Sequence, residues 1–380
     1  MDDNTNQTIT PWEITSSKVE EEIDYSKIID QFGCQPFSVD MARKHELDHI
    51  LFRRGLVFAH RDFIATIEAA RKGEEIYLYT GRGPSSTSMH LGHAVPFLLC
   101  KYLQDKFGCN LVIQMTDDEK YIWKDITLEE SVRYGRENAK DIAAFGFDPK
   151  KTFIFSNVNY AHRFVANTLK IEKSIMLKDF IKVFGFTDSV KVGQVCFPSK
   201  QMAPCYPSSF PELLNKNARC LIPCSIDQDP YFRLARDIAN KLNAVKPATV
   251  YTYFLPALQG MGTKMSASST SSSIYLNDTP AEIKKKINKH AFSGGRDTLE
   301  EHRRLGGNPT VDVAYQYLRF FLSDDALLKQ YEEGYKNGTI MSGEMKKLCI
   351  ATVQEFIKEF QATRAGITEE KLDEFYAINK

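Results

Sequence analysis

Two short stretches of this 380-residue chain carry residue types suited to phosphate chemistry. In His90-Leu91-Gly92-His93, two imidazoles bracket a glycine. The stretch falls between an apolar run and an amphipathic helical pattern, which puts both rings at a helix N-terminus. Amide N–H groups and the positive end of the helix dipole favour phosphate there, and imidazoles can add donors. Gly92 leaves no side chain between the backbone and a flat ligand such as adenine. Read alone, the same residues also describe a helix start with two surface histidines. The second stretch is Lys264-Met265-Ser266-Ala267-Ser268, preceded by Gly260 and Gly262. Its composition is that of a flexible linker. Its chemistry is that of a mobile ammonium among hydroxyl and amide donors, able to grip a leaving pyrophosphate.

Other phosphate and metal devices are missing. Gly81-Arg82-Gly83 lacks the third glycine of a dinucleotide fingerprint, and no P-loop pattern occurs. Eight cysteines are scattered, and only Cys220 and Cys224 lie close together. A zinc site needs two more ligands, so no metal site is expected in the protein itself.

The elements that must hold these residues alternate. Residues 76–80 read as a strand ending in a turn at 81–84. A helix follows, with apolar positions 95, 98, 99, 102 and 103, and Pro96 is expected in its first turn. Residues 110–116 form a near-continuous apolar strand, as expected of one buried on both faces. Thr127 and Glu130 make a capping-box signature for a helix reaching Gly146. Further strands are expected at 151–156, 219–222 and 249–254, with a helix after Asp229. Strands separated by helices argue for an α/β core with a parallel sheet. Beyond about residue 280 only helical patterns remain, so a separate all-α region is expected there.

Apolar residues make up 43% and charged residues 26%, an ordinary globular balance. The longest apolar runs, such as residues 95–100, are far shorter than the roughly 20 residues of a membrane span. The first ten residues are polar and acidic and the first basic residue is Lys18, unlike a signal peptide or a mitochondrial presequence. A cytoplasmic location is expected. Forty-nine basic residues balance 49 acidic ones, which argues against an evenly basic nucleic-acid coat but permits a local patch.

Taken together and in this order, the two stretches resemble the HIGH and KMSKS signatures of the class I aminoacyl-tRNA synthetases. TGRGPSS (80–86), QMTDDEKYIWKD (114–125), CSIDQDPYFR (224–233), KMSAS (264–268) and NKHAFSGGRDT (288–298) are similar to the eukaryotic cytoplasmic tryptophanyl-tRNA synthetases. The resemblance covers about residues 11–376. Leu91 replaces the isoleucine of HIGH, an apolar exchange, and Ala267 stands where KMSKS has a lysine, leaving Lys264 as the one cation of the motif.

The resemblance implies a Rossmann-like catalytic core over 71–279 and a helical anticodon-binding domain over 280–366. It also implies a C-terminal helix returning to the core (367–380) and an N-terminal appendage (1–70) whose segment 11–25 covers the ATP site. The implied reaction is attack of the tryptophan carboxylate on the α-phosphate of ATP, with Mg²⁺ assisting, then transfer to tRNA(Trp). A carboxylate is ionised at pH 7 and needs no general base, so positioning and charge stabilisation suffice. The family pattern assigns His90, His93, Lys264 and Ser266 to catalysis. It assigns ATP to Thr80, Gly81, Gly83, Gly92 and Met265 beside them. Tyr79 and Gln114 match the indole-contacting positions, and Glu119, Gln201 and Gln228 match those around the substrate ammonium and carboxylate. Lys284, Lys285, Lys286, Lys289, Arg303 and Arg304 are candidates for tRNA contact, and a homodimer without membrane association is implied. A tyrosine-specific enzyme, another nucleotidyltransferase of the H-x-G-H type and a catalytically silent relative are the alternatives. Gln114 fits an indole donor better than a phenol, which would call for a carboxylate.

Overall fold

The computed structural model describes residues 24–265 and 273–377, with backbone alone at 8–9, 14–15 and 263–264. Seven strands make the main sheet: β1 (Gln35–Pro36), β2 (Val57–Arg61), β3 (Ile76–Arg82), β4 (Asn110–Met115), β5 (Thr152–Ser156), β6 (Arg219–Ser225) and β7 (Ala248–Thr252). Their lateral order is β1-β2-β7-β6-β3-β4-β5. The last five run parallel, while β1 and β2 pair antiparallel at one edge. The core is α/β as expected, with a mixed sheet.

Residues 35–61, expected within an N-terminal appendage, supply β1 and β2 instead. Val57–Arg61 has three apolar residues followed by His60 and Arg61, without alternation, and so short a run cannot be told from a buried helical segment by periodicity. The strand order turns around between β3 and β6. In doubly wound sheets a ligand crevice opens outside the carboxyl ends of the strands at this point.

Helices cover both faces. Those bearing on the site are α1 (Leu91–Phe107), α2 (Asp117–Trp123), α3 (Leu128–Ala143), α4 (Val192–Met202) and α5 (Asp229–Ile238). Thr127 caps α3 as expected: its Oγ1 accepts from Glu130 N at 3.1 Å, and Glu130 Oε2 accepts from Thr127 N at 2.9 Å. Pro96 departs from expectation, because α1 begins at Leu91 and the proline lies beyond the first turn. It has no N–H to offer the carbonyl of Gly92, four residues back.

The C-terminal region is helical: α6 (Pro280–His290), α7 (Leu299–Leu305), α8 (Val313–Phe321), α9 (Asp325–Lys336), α10 (Ser342–Ala365) and α11 (Glu369–Tyr376). It is not a separate module. Ile283, Tyr317 and Val353 belong to the same buried apolar cluster as Leu91, Val95 and Ile142 of α1 and α3. The final helix packs against α3 and β5, and Arg136 pairs there with Glu369 at 2.9 Å. A small second sheet has the order Thr8–Ile9, Ile14–Thr15, Gly260–Lys264, Pro256–Ala257. Its central pairing sets Thr263 opposite Thr15.

Candidate active site

A cavity of about 500 Å³ opens at the carboxyl ends of β3, β4 and β6. Tyr79, Thr80, Gly81, Gly83, His90, Gly92, His93, Gln114, Glu119, Gln201, Gln228 and Met265 all line it. Of the residues singled out in the sequence, Ser266 lies outside the described residues, as does most of segment 11–25. Lys264 ends the strand that leads into Met265, and its side chain is not described. A larger hollow of about 830 Å³ lies between residues 39–54 and the helical region. The Arg53 and Arg54 guanidinium groups in it are already paired with Asp325 at 2.9 and 2.6 Å, so it offers less unmet chemistry than the smaller cavity.

At one end of the cavity, Tyr79 and Gln114 stand on neighbouring parallel strands. The residue opposite Tyr79 is Val112, so Gln114 lies two positions further and on the same face. The Tyr79 hydroxyl is 2.6 Å from Gln114 Oε1 and 2.8 Å from the carbonyl of Gln201. Gln114 Nε2 donates to Asn157 Oδ1 at 2.8 Å and to the Lys200 carbonyl at 3.2 Å. That network fixes which end of the amide is the acceptor. The remaining lone pairs of Gln114 Oε1 and of the Tyr79 oxygen suit a single N–H donor in an apolar wall made with Phe197 and Phe232.

Beside them, Gln201 Nε2 donates to Gln228 Oε1 at 2.9 Å, and the Glu119 carboxylate sits at the mouth. Lys120 Nζ reaches Glu119 Oε1 at 2.7 Å, and the Thr116 hydroxyl reaches Oε2 at 3.2 Å. A substrate ammonium would share Glu119 with Lys120. Gly83 makes this pairing possible, since a Cβ there would fall 2.3 Å from Lys120 Cε and 2.7 Å from Glu119 Oε2.

The other end is the start of α1. His90 is its N-cap, and the rings of His90 and His93 stack with centroids 3.6 Å apart. Gly92 fits beneath, where a Cβ would lie 3.1 Å from the His90 ring and 3.5 Å from Met265 Cβ. Arg82 Nη1 approaches His93 Nε2 at 2.9 Å, and His90 N approaches His93 Nδ1 at 3.3 Å. Both ring nitrogens therefore face donors. A neutral imidazole accepts at one nitrogen only, so just one of these two contacts can be a hydrogen bond to the ring at a time, and Arg82 brings a permanent cation to this end.

Sequence reasoning missed Arg82. Burial lowers its guanidinium to about 10, with Asp141 and Glu119 acting in the opposite sense. Its Nε donates to Asn138 Oδ1 at 2.9 Å, and its Nη2 has no partner among the described residues. The available signal was its position, a cation between two glycines at the end of a parallel strand.

Several candidates for tRNA contact separate here. Lys284, Lys285, Lys289, Arg303 and Arg304 are exposed. Lys286 is committed elsewhere, to Asp278 at 2.6 Å and to the face of Tyr275 at 5.0 Å.

Comparison with known proteins gives concordant results. The family model for tRNA synthetases class I (W and Y) matches residues 212–358. The chain is 52% identical to the tryptophan–tRNA ligase of Encephalitozoon cuniculi, over 98% of this chain and 99% of that protein. It is 52% identical to the cytoplasmic tryptophan–tRNA ligase of Schizosaccharomyces pombe, over 97% and 96%. A crystal structure of the E. cuniculi tryptophanyl-tRNA synthetase bound to tryptophan superposes with a TM-score of 0.84 at 48% identity, covering 94% of this chain and all of that one.

Proposed function

The chain belongs to the class I aminoacyl-tRNA synthetases, and within them to the tryptophan–tRNA ligases, and we propose how its residues divide that reaction. Tyr79 and Gln114 accept the indole N–H. Glu119, Gln201 and Gln228 hold the amino-acid end, so that the carboxylate points along the cavity toward the start of α1. Thr80, Gly81, Gly83, Gly92 and Met265 line the path of ATP, whose adenine lies against Gly92.

Arg82 supplies the fixed charge for the phosphates, with His90 and His93 beside it and the helix N-terminus behind. Lys264 and Ser266 follow the pyrophosphate as it leaves. The pairing of Thr15 with Thr263 supports a role for segment 11–25 in covering the ATP site. Among the described residues no three histidine, cysteine, aspartate or glutamate side chains gather into a metal site. Mg²⁺ arrives as part of the substrate, on the phosphate oxygens, as suits an ion that keeps most of its non-protein ligands.

The product partner is tRNA(Trp), met by the exposed basic residues of α6 and α7. The same chain works as a cytoplasmic homodimer. Relatives named cytoplasmic support the location, and among the described residues no helix is long and apolar enough to cross a membrane. Exposed apolar side chains between residues 158 and 192 support the dimer, Met176 at 65% and Val192 at 80% among them.

One observation carries this reading: a single cavity joins the Tyr79–Gln114 acceptors to the His90–His93 helix start. Pyrophosphate exchange with each of the twenty amino acids tests it. Exchange should depend on tryptophan, and equal exchange with tyrosine would overturn the assignment of the pocket.

A further inference from the structure

The last turn of α10 reaches the nucleotide end of the cavity from behind. Arg364 sets its Nε against Asp141 Oδ1 and its Nη2 3.0 Å from Glu137 Oε2. Asp141, on α3, is only 2% exposed. Its other oxygen accepts the backbone N–H of Met89, the residue just before His90, at 3.3 Å. One turn back on α10, Gln361 Nε2 donates to the carbonyls of Leu276 and Asp278 at 2.9 and 3.0 Å.

That segment descends from the Lys264–Ser268 stretch and runs antiparallel to the His90 backbone. His90 bridges Tyr275, Leu91 N donates to Ile274 O at 2.9 Å, and Leu276 N donates to Met89 O at 2.8 Å. A single face of α10 thus holds the two pieces of backbone that bear the phosphate-handling residues. None of Asp141, Gln361 and Arg364 lines the cavity.

We propose that Arg364 and Gln361 are positioning residues for the ATP half of the site, fixing the His90 turn and the segment after Lys264 relative to each other. The chemistry requires both halves of the contact. A buried carboxylate deprived of its cation must protonate or turn toward water. Either response weakens the bond to Met89 N and frees the turn that carries His90. The tryptophan end is built from β3, β4, α2, α4 and α5, and its residues Tyr79, Gln114, Glu119, Gln201 and Gln228 have no hydrogen bond to this pair. Loss of Arg364 should therefore reach ATP and spare tryptophan.

The inference rests on ATP binding at His90 and Lys264, and the test keeps the two claims apart. Full-length wild type, Arg364→Gln, Arg364→Lys and Gln361→Met are compared in tryptophan-dependent pyrophosphate exchange without tRNA. Tryptophan affinity is measured separately by equilibrium dialysis, and Tm is recorded. Arg364→Gln should worsen kcat/KM for ATP by about 10-fold or more, since an ångström of misplacement is costly in a preorganised site. Tryptophan affinity should stay within about twofold. Arg364→Lys, which keeps the charge but not the fork that spans Asp141 and Glu137, should recover only part of the loss, and Gln361→Met should repeat the ATP-selective effect. ATP constants unmoved in an active wild-type background would overturn this inference alone. So would ATP and tryptophan constants worsening together in step with Tm. A wild type without tryptophan-dependent exchange would overturn the reading of the site as well.

Discussion

Tyr79 and Gln114 meet through a 2.6 Å hydrogen bond across two parallel strands, and both side chains are essentially excluded from solvent. Neither can turn to water when its partner is lost. The acceptor pair for an indole N–H is therefore present before any substrate arrives, at no reorganisation cost on binding.

Gln114→Ala should weaken tryptophan use by about 1–3 kcal/mol, because it removes an acceptor from the ligand and the donor to Asn157 Oδ1, leaving the Tyr79 hydroxyl only the Gln201 carbonyl. Tyr79→Phe keeps the shape of the pocket and should cost less. Phenylalanine should be rejected, since it brings no N–H to the lone pairs that Gln114 Oε1 and the Tyr79 oxygen leave open. Exchange rates with tryptophan, tyrosine and phenylalanine for the three proteins check this. A Gln114→Ala enzyme with unchanged tryptophan KM and kcat would rule the pair out as the indole contact.

Gly83→Ala is the smallest change that should disturb the amino-acid end. The added methyl would enter the space of the Glu119–Lys120 ion pair. Both side chains must move, and Glu119 no longer sits where a substrate ammonium needs it. The tryptophan KM should rise about 10-fold with Tm changed by only a few degrees. The comparison of KM with Tm decides, and a variant with normal tryptophan KM would detach Glu119 from the ammonium.

Much of this site could be read from residue order, and the exceptions have physical reasons. His90, Gly92, His93 and Gln114 sit in motifs whose residue types state their chemistry. Arg82 does not, because its role depends on burial, and β3 runs two residues beyond its expected end, into the expected turn, to bury it. The Lys284–Lys286 run looks uniform in sequence, yet one member is held by Asp278 and two are exposed. The β2 strand was illegible because four consecutive buried residues, Val57 to His60, carry no period. Arg364 and Asp141 are 223 positions apart, and nothing local announces such a pair.

His60 makes stability depend on pH. Burial lowers its imidazole from 6.5 to about 4, and its Nδ1 accepts from Phe63 N at 3.3 Å, as only a neutral ring can. Above about pH 6.5 neither the folded nor the unfolded form is protonated, and the contribution is complete. Between 6.5 and about 4 the unfolded chain takes up a proton that the fold refuses, so stability falls with pH. His49, lowered to about 4 mainly by burial and then by Arg53 and Arg54, adds to the same window. Urea unfolding at pH 7 and pH 4.5 should show His60→Asn losing about 2–3 kcal/mol less than wild type over this range. Equal losses would mean that His60 does not titrate there.

The exposed apolar side chains after β5 give the proposed dimer a direct test. Leu169 and Leu177 are 61% and 62% exposed, on helices Val165–Ser174 and Leu177–Phe184. Charge placed on an apolar interface is desolvated without a partner. Leu169→Asp with Leu177→Asp should shift the mass measured by light scattering from dimer to monomer, with little change in circular dichroism. A wild type that is monomeric at micromolar concentration would remove the interface from this face.

Lys264 should act in the transition state and only weakly in ground-state binding. It ends the strand Gly260–Lys264 at the point where the chain enters the cavity wall through Met265. Negative charge moves onto pyrophosphate as the bond between the α- and β-phosphates breaks, and an ammonium placed there gains most at that moment. Loss of one such donor costs on the order of 10²–10³ in rate, or about 3–4 kcal/mol. Lys264→Ala should therefore depress kcat for activation with a modest rise in the KM for ATP. Transfer from pre-formed tryptophanyl-adenylate to tRNA should survive, because pyrophosphate has already departed. Normal kcat with lost ATP affinity would make Lys264 a binding residue. If neither constant moves, the Lys264–Ser268 stretch is a linker, and stabilising the leaving group falls to Arg82 and the start of α1.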